Sequence, residues 1–371
     1  MPAAEQDIAA TKYWHRLEDG RVQCDLCPRF CRLREGQAGL CFVRARRGDA
    51  IVLTTWGRSS GYCVDPIEKK PLFHFLPGTP VLSFGTAGCN LACRFCQNWD
   101  ISKAREDDVL MDRAEPATIA RAAKDLGCAS VAFTYNDPII FHEYAIDVAA
   151  ACHALDIRTV AVSSGYVNPE PRAEFYAHMD GVNVDLKAFT ERFYHRICSG
   201  HLEPVLDTLK YIRHETKVWL EITTLLIPGE NDSDAEIGAM AGWVAENLGP
   251  AVPMHFTAFY PAWRMTDRPP TPVATLRRAR GIALNAGIRY VYTGNVRDPE
   301  GESTWCHECG GLLIGREGYR ITGWNLTEDA CCSGCEAPAA GIFDGAPGDW
   351  GSRFLPVRLA DWQERTPVHG G

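Results

Sequence analysis

The sequence lacks any run of the roughly 18 to 20 apolar residues that a membrane-spanning helix needs. Its first 20 residues lack an apolar core flanked by positive charge, so we expect no secretory signal peptide. It also lacks a surplus of positive charge, since the formal net charge is −9 at pH 7. That deficit argues against a general nucleic-acid-binding protein, because phosphate binding needs an excess of Lys and Arg. These absences predict a cytoplasmic protein with no membrane and no nucleic-acid partner.

Cysteine, by contrast, is abundant, with 16 in 371 residues. In a reducing compartment such residues rarely form structural disulfides, and clustered cysteines usually bind metal. Three clusters are present: Cys24, Cys27, Cys31 and Cys41; Cys89, Cys93 and Cys96; Cys306, Cys309, Cys332 and Cys335. The single cysteines are Cys63, Cys128, Cys152, Cys198 and Cys331.

The chain divides into a cysteine-rich N-terminal module (1–78), a central region (79–298) and a C-terminal module with a polar tail (299–371). The central region alternates apolar strand patterns with helix patterns. Strands are predicted at 81–84, 130–134, 159–163, 182–185, 218–224 and 255–259, with a closing strand at 290–292. Helices are predicted at 117–126, 139–155, 172–178, 202–214, 235–248 and 273–286. Such alternation predicts an α/β fold with a parallel sheet, here a partial (β/α)6 barrel, whose chemistry lies on the loops after the strands.

The central cysteines follow the first of these strands with the spacing Cys-x3-Cys-x2-Cys. Three thiolates can hold three irons of a [4Fe–4S] cluster, whereas a ferredoxin-type site normally supplies a fourth cysteine. The open iron can chelate the amino and carboxylate groups of a molecule such as S-adenosylmethionine (SAM). Structural zinc is the competing interpretation, but it takes four tetrahedral ligands and this loop offers three.

This cysteine spacing, with aromatic Phe95 before the last cysteine, resembles the signature of the radical SAM superfamily. The resemblance narrows to the radical SAM component of the AmmeMemoRadiSam group, which is related to glycyl-radical-enzyme activating enzymes. It rests on CDLCPRFC (24–31), DPIEKKPL (65–72), GTAGCN (85–90), TYNDP (134–138), NVDLK (183–187) and TTLLIPG (223–229). The resemblance implies that the reduced cluster cleaves SAM to a 5′-deoxyadenosyl radical, which abstracts a hydrogen atom from a substrate. It also implies an external reductant such as flavodoxin or ferredoxin.

Carried over by position, the resemblance implies that Asn136 and Asp137 contact the SAM amino group, although the family usually has Glu in place of Asp137. It implies polar contacts to SAM from Asp185 and Lys187, the latter pairing with the methionyl carboxylate. Glu221 is expected at the ribose hydroxyls. The alternative to a SAM contact is that these charged residues at strand ends are simply exposed to solvent.

Two further positions complete the expected cofactor-binding set. Ser163 begins Ser-Ser-Gly where relatives tend to carry Thr-Asn-Gly, so an amide contact is lost there. His255, on the sixth strand, is expected near the adenine, and its alternative is a hydrogen-bonded core histidine.

The C-terminal cysteines form two Cys-x2-Cys pairs separated by 22 residues, with a hairpin pattern between them. This arrangement is typical of a zinc ribbon, and an auxiliary Fe–S cluster is the alternative. Cys331 is a substitute ligand for Cys332, and His307 is a reserve ligand. The N-terminal cysteines also offer four ligands, for either zinc or a second [4Fe–4S] cluster.

Single cysteines suggest a sharper hypothesis. An enzyme that returns a hydrogen atom to its substrate needs a donor, and a thiol is a good one. Cys63 and Cys198 are the candidates, whereas Cys128 and Cys152 fall in helix or strand patterns and are expected in the core. The segment 65–72 either caps the barrel mouth or forms a solvated turn.

Three functional classes follow. The first is a radical SAM enzyme acting on a small molecule, for instance an epimerase inverting a carbon centre in a sugar. The second is an activase that places a glycyl radical on a partner protein. The third is a metal-binding module without catalysis, which would produce no 5′-deoxyadenosine from SAM.

Overall fold

A computed structural model describes residues 8–104, 110 and 112–363. In its N-terminal part, short strands form two small antiparallel sheets and reach the edge of a larger one. They are β1 (Ala9–Ala10), β2 (Trp14–Arg16), β3 (Val22–Cys24), β4 (Arg32–Leu33), β5 (Arg44–Arg47), β6 (Ala50–Leu53), β7 (Arg58–Ser59) and β8 (Tyr62–Pro66). A 3-10 turn, Ile67–Lys69, then leads towards the central sheet.

Seven parallel strands form the centre of the fold and confirm the predicted α/β class. They are β9 (Pro80–Phe84), β11 (Ser130–Phe133), β12 (Arg158–Ser163), β13 (Gly181–Asp185), β14 (Trp219–Leu226), β15 (Met254–Ala258) and β16 (Val291–Gly294), while β10 (Asp112–Arg113) pairs with β7. They lie side by side in chain order, with antiparallel β8 beyond β9, so β16 and β9 do not pair and the barrel is not closed. Strands such as β9 and β11 are buried almost throughout, because helices cover the outer face of a parallel sheet.

The helices are α1 (Trp99–Ser102), α2 (Pro116–Asp125), α3 (His142–His153), α4 (Pro169–Tyr176), α5 (Glu191–Phe193), α6 (Glu203–Glu215), α7 (Asp234–Asn247), α8 (Val273–Asn285), α9 (Pro299–Glu302) and α10 (Ala360–Gln363). Their starts follow local rules. Helix α7 begins with a capping hydroxyl, since Ser233 Oγ accepts the N–H of Glu236 at 3.3 Å. Among the described residues, no helix has the length and apolar character that a membrane crossing requires.

Two predicted helix boundaries shift for local reasons. Helix α4 begins at Pro169, three residues before the predicted start, because a proline fits the first helical position. The helix predicted from residue 139 begins as a 3-10 turn, Pro138–Phe141, before α3. Asp137 caps that turn through the N–H of Ile139 at 3.1 Å, which favours a tight start.

The C-terminal part contains β17 (Thr304–Trp305), β18 (Leu312–Glu317), β19 (Arg320–Trp324) and β20 (Leu355–Val357). The first three form an antiparallel sheet that includes the predicted hairpin. Strand β20 instead pairs with β8, so residues from both terminal modules extend the central sheet beyond β9.

Candidate active site

The three central cysteines line one cavity of about 490 Å³ at the carboxyl ends of the parallel strands. Cys89, Cys93 and Cys96 come from the loop after β9. The remaining lining includes residues that follow β11, β13, β14 and β15 or end them: Tyr135, Asn136, Asp137, Asp185, Lys187, Thr223, Leu225 and Thr257. This is the end of the sheet where barrels of this type place their chemistry.

The cysteine loop is held by backbone contacts on both sides. Gly88 has a φ of +86°, and a Cβ built there would come within 1.9 Å of the Cys41 carbonyl oxygen, so only glycine fits. Asn136 Nδ2 donates to the Gly88 carbonyl at 2.8 Å. Further on, the N–H of Ala92 donates to the Cys198 carbonyl at 2.9 Å. The loop therefore has a fixed path before any ligand binds.

The thiols of this loop have unequal acidity. A hydrogen bond from Cys198 lowers the pKa of Cys93 to about 7, assisted by nearby Lys187 against the effect of burial. Burial raises the pKa of Cys89 to about 12. Cys198, one of the predicted hydrogen donors, is itself buried behind Cys93 and is not part of the cavity lining. Metal binding requires the thiolates, and Cys93 is the readiest of them.

The donor set fits a [4Fe–4S] cluster with one open iron. Three thiols from one loop face one cavity, and no further cysteine among the described residues lines it. A structural zinc site would want a fourth ligand close by. The cavity also extends from the cysteines to Lys187, leaving room for a molecule that chelates the open iron.

Asp185 and Lys187 line the cavity together, close enough to Cys93 for their charges to act on its thiol. Lys187 Nζ is 2.6 Å from Asp185 Oδ2. Burial lowers the pKa of Lys187, but the charges of Asp185 and Cys93 outweigh burial and raise it overall. The ammonium is therefore held as a cation that can also bind a ligand carboxylate.

Asn136, Asp137 and Ser163 have structural partners already. Asn136 Oδ1 accepts the N–H of Thr86 at 3.2 Å while its amide nitrogen holds Gly88. Asp137 Oδ2 accepts the N–H of Ser164 at 2.9 Å, and burial raises the pKa of Asp137. Asn136, Asp137 and Ser164 line the cavity, whereas Ser163 donates to Asp137 from behind at 3.2 Å.

Glu221 and His255 are brought together by the structure, but away from the cavity lining. Glu221 accepts His255 Nε2 at 2.6 Å and the N–H of His74 at 2.7 Å, and both side chains are buried. The reason is the length of β14. Alternate side chains place Glu221, Thr223 and Leu225 on one face, but Glu221 is the third residue of β14 and only the two nearer its carboxyl end line the cavity.

A polar cluster that sequence reasoning did not assemble forms another part of the cavity wall. Tyr135 Oη lies 2.7 Å from Cys63 Sγ and 2.8 Å from Asp65 Oδ2. Asp65 is fully buried and also accepts Lys69 Nζ at 2.8 Å and Lys70 Nζ at 2.5 Å. Tyr135 and both lysines line the cavity. The motifs at 65–72 and 134–138 were the signal, but they meet only because β9 pairs with β8 on one side and with β11 on the other.

The four C-terminal cysteines form a compact group. In the described residues, they are the one set of three or more His, Cys, Asp or Glu ligands that could hold a metal ion, and their donor atoms all lie within 4.8 Å of one another. Cys306 Sγ is 3.5 Å from Cys335 Sγ, and Cys309 Sγ is 3.8 Å from Cys332 Sγ. Tetrahedral zinc with Zn–S bonds of about 2.3 Å needs sulfurs roughly 3.8 Å apart. The arrangement can therefore hold one metal ion.

The two reserve ligands of this group have other partners. Cys331 Sγ donates to the Asp329 carbonyl at 3.6 Å. His307 Nδ1 is 3.5 Å from the Tyr290 hydroxyl. Neither belongs to the compact group.

Comparisons with known proteins agree with the iron–sulfur interpretation of the cysteine loop. The radical SAM superfamily matches residues 84–240. An uncharacterized protein of Methanocaldococcus jannaschii is 37% identical over 304 residues, which is 82% of this chain and 90% of that protein. The GTP 3′,8-cyclase of Peptoclostridium acidaminophilum is 24% identical over 154 residues, 41% of this chain and 47% of that enzyme. The match to the cyclase thus spans about half of its length.

Solved structures resemble the chain more loosely. A radical SAM methyltransferase from Sphaerobacter thermophilus is 16% identical, with a TM-score of 0.47 and coverage of 82% of this chain and 81% of that one. A domain of pyruvate-formate lyase-activating enzyme from Bacteroides vulgatus is 17% identical, with a TM-score of 0.40 and coverage of 45% of this chain and 99% of that one.

Proposed function

The chain belongs to the radical SAM superfamily, and from that membership we propose that it acts on a small molecule by hydrogen-atom abstraction. Cys89, Cys93 and Cys96 would hold the [4Fe–4S] cluster in this proposal. The cluster and SAM together supply the chemistry: one electron from a reductant such as flavodoxin or ferredoxin cleaves SAM and yields a 5′-deoxyadenosyl radical.

One observation carries the proposal, namely the shared cavity of the three thiols and Lys187. The protein's residues would bind and orient. Lys187 would pair with the methionyl carboxylate, since its ammonium is half-buried at the cavity and kept charged by Asp185. Asn136 would keep the loop in place through Gly88. The enclosing strands would exclude water from the reacting atoms, which protects a reactive intermediate.

The test is an anaerobic assay for 5′-deoxyadenosine with SAM and a strong reductant. Iron-loaded wild-type protein is expected to form it, and Cys93→Ala is expected to lose at least about a hundredfold. Cys152→Ala, buried in helix α3, is the matched cysteine control and should keep the activity. No 5′-deoxyadenosine from iron-loaded wild-type protein would leave the metal-binding module as the better reading.

A second candidate is an isomerase, such as an epimerase, that returns a hydrogen atom to the substrate. The contact of Tyr135 with Cys63 at the cavity wall favours it. In that reaction the substrate radical takes one hydrogen atom from the Tyr135–Cys63 pair, leaving a thiyl radical on Cys63. One electron from the reductant and one proton from solvent then restore the thiol. Because the S–H proton exchanges with water, product made in deuterated water should carry one deuterium on carbon.

A further inference from the structure

The four N-terminal cysteines line one buried pocket. Cys24 and Cys41 are buried, Cys27 and Cys31 are half-buried, and all four face the same small space. The hairpin of β3 and β4 brings the first three together, since the N–H of Cys24 donates to the Cys31 carbonyl at 2.9 Å. Gly39 lies against Cys31, since a Cβ built on it would stand in ordinary contact, 3.4 Å from Cys31 Sγ.

The distances between sulfur atoms distinguish the C-terminal cysteines from the other two cysteine sets. The C-terminal sulfurs lie within 4.8 Å of one another, as one metal ion requires. The N-terminal four, all among the described residues, do not form such a compact group, and neither do the three cysteines of the cavity. A cubane spreads its ligands farther than a single ion, because a separate iron stands behind each sulfur. The N-terminal set therefore lacks the compact spacing that a single metal ion requires.

The pocket also offers charge and hydrogen-bond donors. Arg44 is fully buried among Cys24 and Cys41, and Glu143 balances it through two contacts of 2.7 Å and 3.0 Å. Arg29 lines the pocket, and its Nη2 is buried without a hydrogen-bond partner in the described structure. Arg44 also hydrogen-bonds to the Cys24 thiol, and cationic donors beside the sulfurs stabilise an anionic iron–sulfur cluster.

The pocket shares a wall with the loop of the first cluster. Arg29 Nε donates to the Asn90 carbonyl at 2.9 Å, and Asn90 lines the pocket directly after Cys89. On the other side of Cys89, Gly88 packs against the Cys41 carbonyl. The two cysteine sets are therefore separated by one layer of backbone.

We propose that Cys24, Cys27, Cys31 and Cys41 bind a second [4Fe–4S] cluster beside the first. The inference rests on the proposed function in taking Cys89, Cys93 and Cys96 as ligands of the first cluster. The adjacent position suits one-electron exchange: an electron from the external reductant enters the second cluster and leaves it for the first, so its oxidation state is restored.

The test compares metal contents and electron paramagnetic resonance (EPR) of the full chain, reconstituted anaerobically. Wild type is expected to hold about eight irons and about one zinc. The triple variant Cys89→Ala/Cys93→Ala/Cys96→Ala should keep about four irons and a reduced EPR signal that SAM does not alter. Cys27→Ala/Cys31→Ala should keep about four irons with a signal that SAM does alter. Cys128→Ala is the matched control and should match wild type.

Loss of about four irons in Cys27→Ala/Cys31→Ala assigns them to the N-terminal cysteines and not to the C-terminal ones, and the triple variant shows that they bind without the first cluster. If the triple variant holds no iron, or holds an extra zinc in place of iron, the second cluster is wrong. If wild-type protein with only about four irons still forms 5′-deoxyadenosine, the second cluster is wrong but the proposed function is not contradicted.

Discussion

The hydroxyl of Tyr135 lies 2.7 Å from the thiol of Cys63 at the wall of the cavity that Cys89, Cys93 and Cys96 share. Burial raises the pKa of Cys63 to about 11, and burial with the charge of Asp65 raises the pKa of Tyr135. Both groups are therefore protonated at neutral pH. A protonated thiol and phenol in contact are suited to donate a hydrogen atom and unsuited to act as nucleophile or base.

Removal of this pair should separate SAM cleavage from product formation. We expect Cys63→Ala to lower the yield of product at least about tenfold and to abolish deuterium incorporation from deuterated water. Tyr135→Phe should lower both in parallel, since the phenol lies between the thiol and the cavity. Formation of 5′-deoxyadenosine should stay within about twofold in both variants. Unchanged deuterium incorporation in both would show that hydrogen return does not use the pair.

Lys187 should decide the affinity for SAM. We expect Lys187→Met to weaken SAM binding at least about tenfold, because a charge-assisted hydrogen bond contributes about 1.5 to 3 kcal/mol. The comparison is Lys210→Met, whose ammonium packs over Trp243 outside the cavity. Calorimetric titration of the iron-loaded variants measures the difference. Equal affinities in both variants would remove Lys187 from the SAM site.

Gly88 should be irreplaceable, since its Cβ would overlap the Cys41 carbonyl oxygen and its φ is +86°. We expect Gly88→Ala to displace the cysteine loop and to lose at least half of the bound iron. Gly127→Ala is the control, because its φ of +69° imposes a similar backbone cost while nothing lies within 4 Å of its Cβ. That variant should lose about 1 kcal/mol of stability and keep its iron. Iron content after reconstitution distinguishes them.

Glu68 predicts a pH dependence of stability. Burial raises its pKa to about 7, although Arg316 opposes the shift. Since the folded state binds this proton more tightly than the unfolded state, the stabilisation is complete below about pH 4.5 and is lost as pH rises through about 7. The loss amounts to at most about 3 kcal/mol.

Glu68→Gln mimics the protonated carboxyl and should flatten this dependence. We expect the melting temperature of the variant to change less than that of wild type between pH 5.5 and pH 8. Glu328→Gln, an exposed site, should keep the wild-type slope. The slope is the readout, because losing a partner of buried Arg316 lowers stability at every pH. Parallel slopes in all three proteins would contradict the assignment.

Local pattern was enough to predict the order of the parallel strands and the position of the cysteine loop after the first of them. Local pattern could not show that Glu221 lies outside the cavity lining. How far an inward-pointing side chain is from the cavity depends on the length and register of its strand, which the neighbouring strands set. Nor could local pattern bring Cys63 to Tyr135. Their contact depends on the antiparallel pairing of β8 with β9 and the parallel pairing of β9 with β11, which together join residues 72 positions apart in sequence.

The C-terminal cysteines should bind one zinc ion for a structural purpose. Their sulfurs already lie at tetrahedral spacing, and the free energy of binding such an ion is coupled to folding of the small domain that holds it. We expect Cys309→Ser to lose the zinc and to lower the melting temperature, while the iron content and its SAM-sensitive EPR signal persist. Cys331→Ser is the matched neighbour and should keep the zinc, because its thiol is bonded to the Asp329 carbonyl. Zinc retained in Cys309→Ser but lost in Cys331→Ser would exchange the roles of the two cysteines, and iron in place of zinc would make the site a further cluster.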